Sequence, residues 1–432
     1  MRVIKWMTLS LATSAAVGGQ WAQASEQSEA SGFLEGSKLN VLERNFYINR
    51  DFRSGNSPVD NKGESTPYGE IWANGLIGNF QSGFTQGTVG FGVDAIALMG
   101  VTLDSGPGRI GGVYTVPVQD NGKPVDEFSS LGVAAKMRIS NTVLKVGDQV
   151  MTLPVIATDD TRIVPETARG FFVTSNEIDG LTLHAGKFDS IKGQQYANHD
   201  SVGLKEAVFA GGAYDFNKNL NGALYYSNLD DVFRKYYGSL GYNLSTGEDS
   251  SLATNFNLYR TQYDSKYTGT GSSEDNTIWS GAVAYSLGAH KFTIAYQKSN
   301  GGYLSPTGRP VGYVYGPDGG SSIFLSNSIQ YSDFNNKDEA SWQLAYNLNF
   351  ASLGVPGLTF GARFVDGQKI DMGSGSDASE RETDLDVKYV MQGGAAKDLS
   401  VRVRQAFYRS TDELNGDVND FRVIVEYPIS IL

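Results

Sequence analysis

The 432-residue chain has no cysteine and sets 47 Asp+Glu against 35 Lys+Arg, a formal net charge of −12. That balance excludes the basic footprint by which proteins hold nucleic acid. With 52 Gly, 23 Tyr and 12% aromatic residues the composition leans toward β structure. A mean hydropathy of −0.27 leaves a membrane barrel open, because only alternate strand residues of a barrel meet lipid.

Residues 1–24 have the layout of an export signal. Met1-Arg2-Val3-Ile4-Lys5 is a short positive start, Met7 to Val17 is apolar or small, and Ala22-Gln23-Ala24 is an Ala-x-Ala cleavage site. The mature start is therefore expected at Ser25. The apolar stretch is too short to cross a bilayer as a helix, and no later stretch approaches about twenty apolar residues. An exported chain without disulfides suits a Gram-negative envelope. A soluble exported protein and an outer-membrane barrel are both open at this point. No linker or composition break divides 25–432, which reads as one domain.

Alternating runs of about ten residues fill the mature chain, as strands require. They are predicted near 39–49, 68–76, 89–101, 131–139, 142–150, 170–175, 181–188, 204–216 and 220–228. The series continues near 234–244, 252–263, 277–287, 291–298, 340–350, 358–365, 383–391, 399–408 and 421–427, about eighteen strands in all. Their connections alternate in length. Ser140-Asn141, Gly288-Ala289-His290 and Gly393-Gly394-Ala395 are tight, whereas 366–382 and 299–339 are long, Gly-rich and polar. A barrel with both termini on the periplasmic side has short turns there and long loops outside. A soluble sandwich has no reason to keep that parity. Much of the acidity falls in 51–64 and 377–382, both read as loops. Phe46, Tyr47, Phe171, Phe172, Tyr225, Tyr226, Tyr236 and Tyr237 sit near strand ends and are read as interfacial girdles, against the alternative of a soluble β core.

The last strands carry the candidate chemistry. In 399–408 the apolar Leu399, Val401, Val403 and Phe407 alternate with Ser400, Arg402, Arg404 and Ala406, so Arg402 and Arg404 share one face. Arg422 and Glu426 oppose Phe421, Val423, Val425 and Tyr427. Upstream, Arg363 opposes Phe360, Ala362 and Phe364, and Lys388 opposes Val387 and Tyr389. If these strands are neighbours, Arg363, Lys388, Arg402, Arg404 and Arg422 form a basic column. It belongs either to the solvent face of a soluble sheet or to the water-filled side of a barrel.

Other chemistry finds little support. Gly106-Pro107-Gly108-Arg109-Ile110-Gly111 matches a GxGxxG string, but no βαβ context surrounds it. His184, His199 and His290 lack metal spacing, and His199 beside Asp200 and Ser201 is a crowd in sequence rather than a converging triad. No catalytic residue, metal or cofactor is assigned.

Eight stretches, taken in order, resemble one family, the OprD-type outer-membrane porins of pseudomonads. They are 44–51 (Arg44-Asn45-Phe46-Tyr47-Ile48-Asn49-Arg50-Asp51), 257–261, 295–298, 322–328, 330–335, 354–360, 396–400 and 426–432 (Glu426-Tyr427-Pro428-Ile429-Ser430-Ile431-Leu432). The resemblance covers essentially the whole mature chain. It implies a monomeric eighteen-stranded transmembrane antiparallel β-barrel in a Gram-negative outer membrane, surrounded by lipid and lipopolysaccharide. It also implies inward-folded loops, a basic ladder down one wall, and small carboxylate solutes as partners. By the same resemblance the third external loop, 151–169, folds inward and brings Arg162 to a constriction, while Asp333, Tyr196 and Tyr313 face the ladder. Asp160 or Asp333 opposite the ladder would set a transverse field, against the alternative that each is a salt-bridge partner keeping the arginines in place.

Two departures bear on the solute. Ser321 stands where some members carry an acid that favours cationic groups, and the tips of 299–320 match no subfamily. The reading is therefore a selective channel for small carboxylates, cyclic or aromatic monocarboxylates before basic amino acids. A barrel enzyme would need a rim triad that the sequence does not offer. A structural barrel would need no lumenal ladder.

Overall fold

A computed structural model describes residues 25–54, 57, 65–106, 108–201, 203–268, 274–301, 323–373, 375, 377–412 and 414–432. The candidate export signal, Tyr313 and Ser321 lie outside them. Twenty strands run in chain order, and the first nine are β1 Lys38–Phe52, β2 Tyr68–Gln81, β3 Val89–Asp104, β4 Glu127–Ile139, β5 Thr142–Gln149, β6 Thr152–Leu153, β7 Ile156–Ala157, β8 Thr167–Ile178 and β9 Leu181–Lys192. Then come β10 Ala207–Asp215, β11 Leu220–Leu229, β12 Phe233–Ser245, β13 Ser250–Tyr263, β14 Glu274–Leu287 and β15 His290–Gly301. The series ends with β16 Ala340–Asn349, β17 Leu358–Asp371, β18 Asp377–Val390, β19 Ser400–Ser410 and β20 Val418–Ser430.

All but β6 and β7 join one 18-stranded sheet in which each strand pairs antiparallel with its sequence neighbours. The sheet closes on itself where β1 pairs with β20, from Asn40↔Ser430 to Phe52↔Val418. Closure leaves no edge, which is what a sheet in hydrocarbon needs. Both ends of the sheet therefore finish on the side of the short turns.

The expected alternation sorts the residues. Leu224, Leu131 and Ile294 point outward and are exposed, as a lipid-facing band requires. The inward positions are polar or packed against loops. Aromatic neighbours divide between the faces. Phe171 and Tyr236 are exposed, whereas Phe46, Tyr225 and Tyr237 are buried inside, so only half of the expected girdle residues face the membrane. A period of two makes this unavoidable for adjacent residues.

The loop assignment of 366–382 is corrected. β17 runs on to Asp371 and β18 starts at Asp377, so the acidic 377–382 is strand. Its Glu380 and Glu382 are buried, facing the interior. A charged strand loses the hydrophobic alternation by which strands are read.

Three segments fold into the lumen. The loop after β5 carries the β6–β7 hairpin, whose Leu153 and Ile156 pack with Phe188, Phe209, Tyr237 and Tyr259 of the β9–β13 wall. Farther along, Ile163 and Val164 pack with Phe46, Ile48, Ile71 and Ile77 of β1 and β2, so this loop crosses from one wall to the other. The loop after β3 joins the second cluster through Ile110, Val113 and Val116. The described end of the loop before β16 lies along β15–β20, held by Gln297 Nε2 donating to the carbonyls of Asp333 (2.9 Å) and Phe334 (2.7 Å).

Gly75 marks where the crossing loop meets β2, since a Cβ there would overlap the Ile163 carbonyl. Gly75→Val is expected to lift the loop while the barrel still folds, giving a larger or noisier single-channel conductance. An unaltered current trace from folded variant would show that the contact does not hold the loop.

Candidate functional site

Strand register decides which face the basic column occupies. Arg404 is paired with Asp386 on one side and Arg422 on the other, and Arg402 with Lys388. Arg363 is opposite Asp384. Directly opposed residues of antiparallel strands share a face. Val401, Val403 and Phe407 are exposed on the other face. The five cations therefore share the lumenal wall of β17–β20.

The wall continues across the barrel seam. Arg44 is opposite Glu426, and Arg50 is opposite Asp420. These two arginines continue the same lumenal face and were not singled out in the sequence. The signal was present, because Arg44, Phe46, Ile48 and Arg50 alternate as a single face.

Carboxylates hold the ladder without cancelling it. Asp386 lies 2.5 Å from Arg402 and 3.2 Å from Arg404. Asp420 lies 2.6 Å from Arg50 and 2.6 Å from Arg422. Each acid serves two guanidiniums, which leaves about one positive charge per trio. Arg363 and Lys388 make no ion pair among the described residues.

Arg162 is presented by its own backbone. Its N–H donates to Gln194 Oε1 at 2.8 Å, while its carbonyl accepts from Arg44 Nη1 at 2.7 Å. Among the described residues its side chain bonds only Thr161, through the carbonyl (3.2 Å) and Oγ1 (3.1 Å). Burial, then Arg422 and Arg50, press its pKa down. A guanidinium keeps its proton regardless, so the shift reports an under-neutralised charge on the crossing loop.

The acidic candidates divide. Asp160 does not stand free across the lumen: it is a counter-ion of Arg44 at 2.7 Å, and Glu426 is the other at 2.8 Å. Asp333 accepts from Ser328 Oγ at 2.5 Å. Burial raises its pKa, the Ser328 bond opposes the shift, and nearby Asp159 adds to it. Asp159, unremarked in the sequence as a pore residue, is held by Gln194 Nε2 at 2.9 Å. Tyr196 is half-buried beside Gly193, and its carbonyl accepts from Lys192 Nζ at 3.4 Å. It makes no hydrogen bond to the ladder.

A second set of acids is occupied elsewhere. Glu382 accepts from the N–H groups of Tyr331 (2.8 Å) and Ser332 (2.9 Å), Asp384 from Gln330 (3.1 Å), and Glu380 from Ser332 Oγ. These side chains moor the inward segment 330–332. Tyr331 lies under Arg50, 4.9 Å from guanidinium carbon to ring centre.

Asp333 generates a pH test. A carboxyl with a raised pKa takes its proton while ordinary carboxylates are still ionised. As pH falls from neutrality toward the ordinary carboxylate range, the reversal potential in asymmetric KCl is expected to move toward chloride. Asp333→Asn should remove part of that movement, since burial also raises the pKa of Glu339, and an undiminished shift in the variant would rule Asp333 out as a source.

Comparison with known proteins matches this architecture. The model for outer membrane porins of the OprD family matches residues 31–431. Porin D of Pseudomonas aeruginosa is 44% identical over all of both chains. The crystal structure of Acinetobacter baumannii OccAB1 superposes with a TM-score of 0.86 at 33% identity, over 94% of this chain and all of that one. Pseudomonas aeruginosa OpdK, crystallised with vanillate, superposes with a TM-score of 0.79 at 32% identity, over 92% of this chain and all of that one. These relatives are channels of the Gram-negative outer membrane rather than enzymes, and the chain belongs to the OprD family of outer-membrane porins.

Proposed function

We propose that this barrel is a passive, substrate-selective channel for small carboxylate solutes, cyclic or aromatic monocarboxylates above all, working as a single chain in a surround of lipid and lipopolysaccharide. The observation that carries the proposal is the shared lumenal face of Arg363, Lys388, Arg402, Arg404 and Arg422, continued by Arg50 and Arg44.

A carboxylate entering a narrow pore gives up part of its hydration at considerable cost. A guanidinium replaces the lost water with a charge-assisted bond, often a bidentate one. One deep site would trap the solute, and passage needs binding weak enough to release. Consecutive inward positions of a strand stand about 6.6–7 Å apart, within the span of Arg side chains, so the solute can pass between Arg402 and Arg404 without being free of both. Arg162 acts at the narrowing, where its unpaired guanidinium draws the anion toward the ladder. OpdK, a relative crystallised with the aromatic carboxylate vanillate, supports the cyclic branch by analogy.

A second reading concerns the far end of the solute. Asp333 and Asp159 lie near each other, and an acidic pair there suits a solute that also carries a cationic group, as a basic amino acid does. Single-channel current in a planar bilayer with benzoate, glucuronate and arginine added in turn separates the branches. Interruption by the two acids favours the first, and interruption by arginine alone the second.

Replacing both arginines, Arg402→Ala with Arg404→Ala, is expected to lower chloride selectivity and carboxylate uptake without unfolding the barrel. Unchanged selectivity and uptake would remove the ladder from the mechanism.

A further inference from the structure

A second group of lumenal cations stands apart from the ladder, on β4 and β5. Lys136 and Lys145 are directly opposite each other across these strands. Like charges so placed repel, yet a single carboxylate answers both: Asp94 is 2.5 Å from Lys136 Nζ and 2.7 Å from Lys145 Nζ. Two ammoniums on one acid leave an excess positive charge, the same arrangement that Asp386 and Asp420 make in the ladder. Lys136 is sealed in, also donating to the Ser82 carbonyl at 2.7 Å. Lys145 is about a third exposed, so it is the one of the two that a solute can reach.

Lys145 faces open space. A cavity of about 280 Å³ is lined by Asn79, Asp94, Lys145, Asp148, Gln149 and Phe172 among others. On its other flank Phe172 is directly opposite Lys145 across β5 and β8, which puts their Cβ atoms about 4.5–5.5 Å apart. The ring of Phe172 is fixed from behind by His184, stacked at 5.4 Å and 13°. His184 is itself held by Tyr225 OH at 2.9 Å. A charge and an immobilised flat apolar face therefore border one cavity at the root of the crossing loop. Arg138, one inward step from Lys136 toward the turn side, lies over the Phe84 ring at 4.2 Å, bonds Gln27 at 2.9 Å and has the exposed Glu26 3.6 Å away.

We propose that Lys145 and Phe172 form a second solute station, on the turn side of the narrowing, that takes a carboxylate attached to a planar ring. The carboxylate pairs with Lys145 in partial exchange for Asp94, which keeps Lys136 as its partner. The ring lies on Phe172. Release toward the turn side is assisted by Arg138. The station rests on the carboxylate-channel reading above and adds to it a recognition element for the ring.

Single-channel recordings of the whole barrel with benzoate test it in wild type, Lys145→Gln and Phe172→Leu. Lys145→Gln leaves Asp94 its bond to Lys136, and Phe172→Leu keeps an apolar side chain, so either variant preserves the wall if the other fails to fold. Benzoate interruptions are expected to shorten about threefold in Lys145→Gln, the order of one part-exposed ionic contact, and about threefold in Phe172→Leu, the order of one aromatic contact. Interruptions by glucuronate, which carries a carboxylate but no planar ring, should shorten in Lys145→Gln and keep their wild-type length in Phe172→Leu. Interruptions of wild-type length in both variants would overturn the station and leave the channel reading standing. Equal shortening of benzoate and glucuronate interruptions in Phe172→Leu would also count against it, since a rebuilt lumen moves both. A wild-type barrel that neither benzoate nor glucuronate nor arginine interrupts would overturn the channel reading and the station together.

Discussion

The pairing of β1 with β20 is the interaction on which everything else depends. Hydrocarbon offers no water to an open sheet edge, so an unclosed sheet would leave a row of unsatisfied backbone groups in lipid. The seam that closes the sheet also completes the charged wall. Arg44–Glu426 (2.8 Å) and Arg50–Asp420 (2.6 Å) cross it. A slip of one residue would exchange the faces of a strand, sending these arginines into lipid and Tyr47 inward. Closure and ladder therefore fix the same register, each for its own reason.

Within the lumen the balance of charge is what makes the ladder usable. A row of arginines with no acids would be pushed apart by mutual repulsion, and each would resist burial. A row with one acid apiece would be orderly but inert. Sharing Asp386 between Arg402 and Arg404, and Asp420 between Arg50 and Arg422, lies between these limits. The side chains are held in place while positive potential remains, and in the proposed carboxylate channel a solute competes for partners already in position. Arg162 shows the unshared extreme, and it is the one basic residue of this set carried by a loop rather than a strand.

The barrel was legible in the sequence because lipid imposes apolar residues at every second position. All eighteen barrel strands were located by that pattern, and their ends were misjudged where the pattern fails. β18 is the clearest case: Glu380 and Glu382 extend the strand beyond the point where alternation with apolar residues can be followed. That the basic residues of β17–β20 share one face was legible for the same reason as the strands. Arg44 and Arg50 obey the same rule on β1, but recognising them as ladder members requires knowing that the first and last strands meet. What alternation cannot reveal is partnership. Nothing in the order of residues says that Asp160 reaches Arg44, that Asp420 serves two arginines, or that Gln194 holds Arg162 by its backbone, since these contacts arise only when loops cross the lumen. Nor does an aromatic near a strand end declare its face, as Phe172 beside Phe171 illustrates.

A net charge of −12 and a cationic lumenal wall are compatible once the acids are located. β18 carries inward acids at 380, 382, 384 and 386 and a lysine at 388, a series that changes role along its length. Toward the loop end Glu380, Glu382 and Asp384 turn their oxygens to the backbone and side chains of 330–332. A carboxylate that accepts backbone N–H groups has part of its charge answered locally and projects less of it into the pore. Next, Asp386 is shared by two arginines, and beyond it Lys388 has no carboxylate partner among the described residues. One strand thus passes from mooring a loop, through positioning arginines, to presenting an unpaired charge to the lumen. Losing a mooring acid would free 330–332 and with it the Tyr331 ring beneath Arg50, so the position of the loop and the field of the ladder are coupled through neighbouring side chains of a single strand.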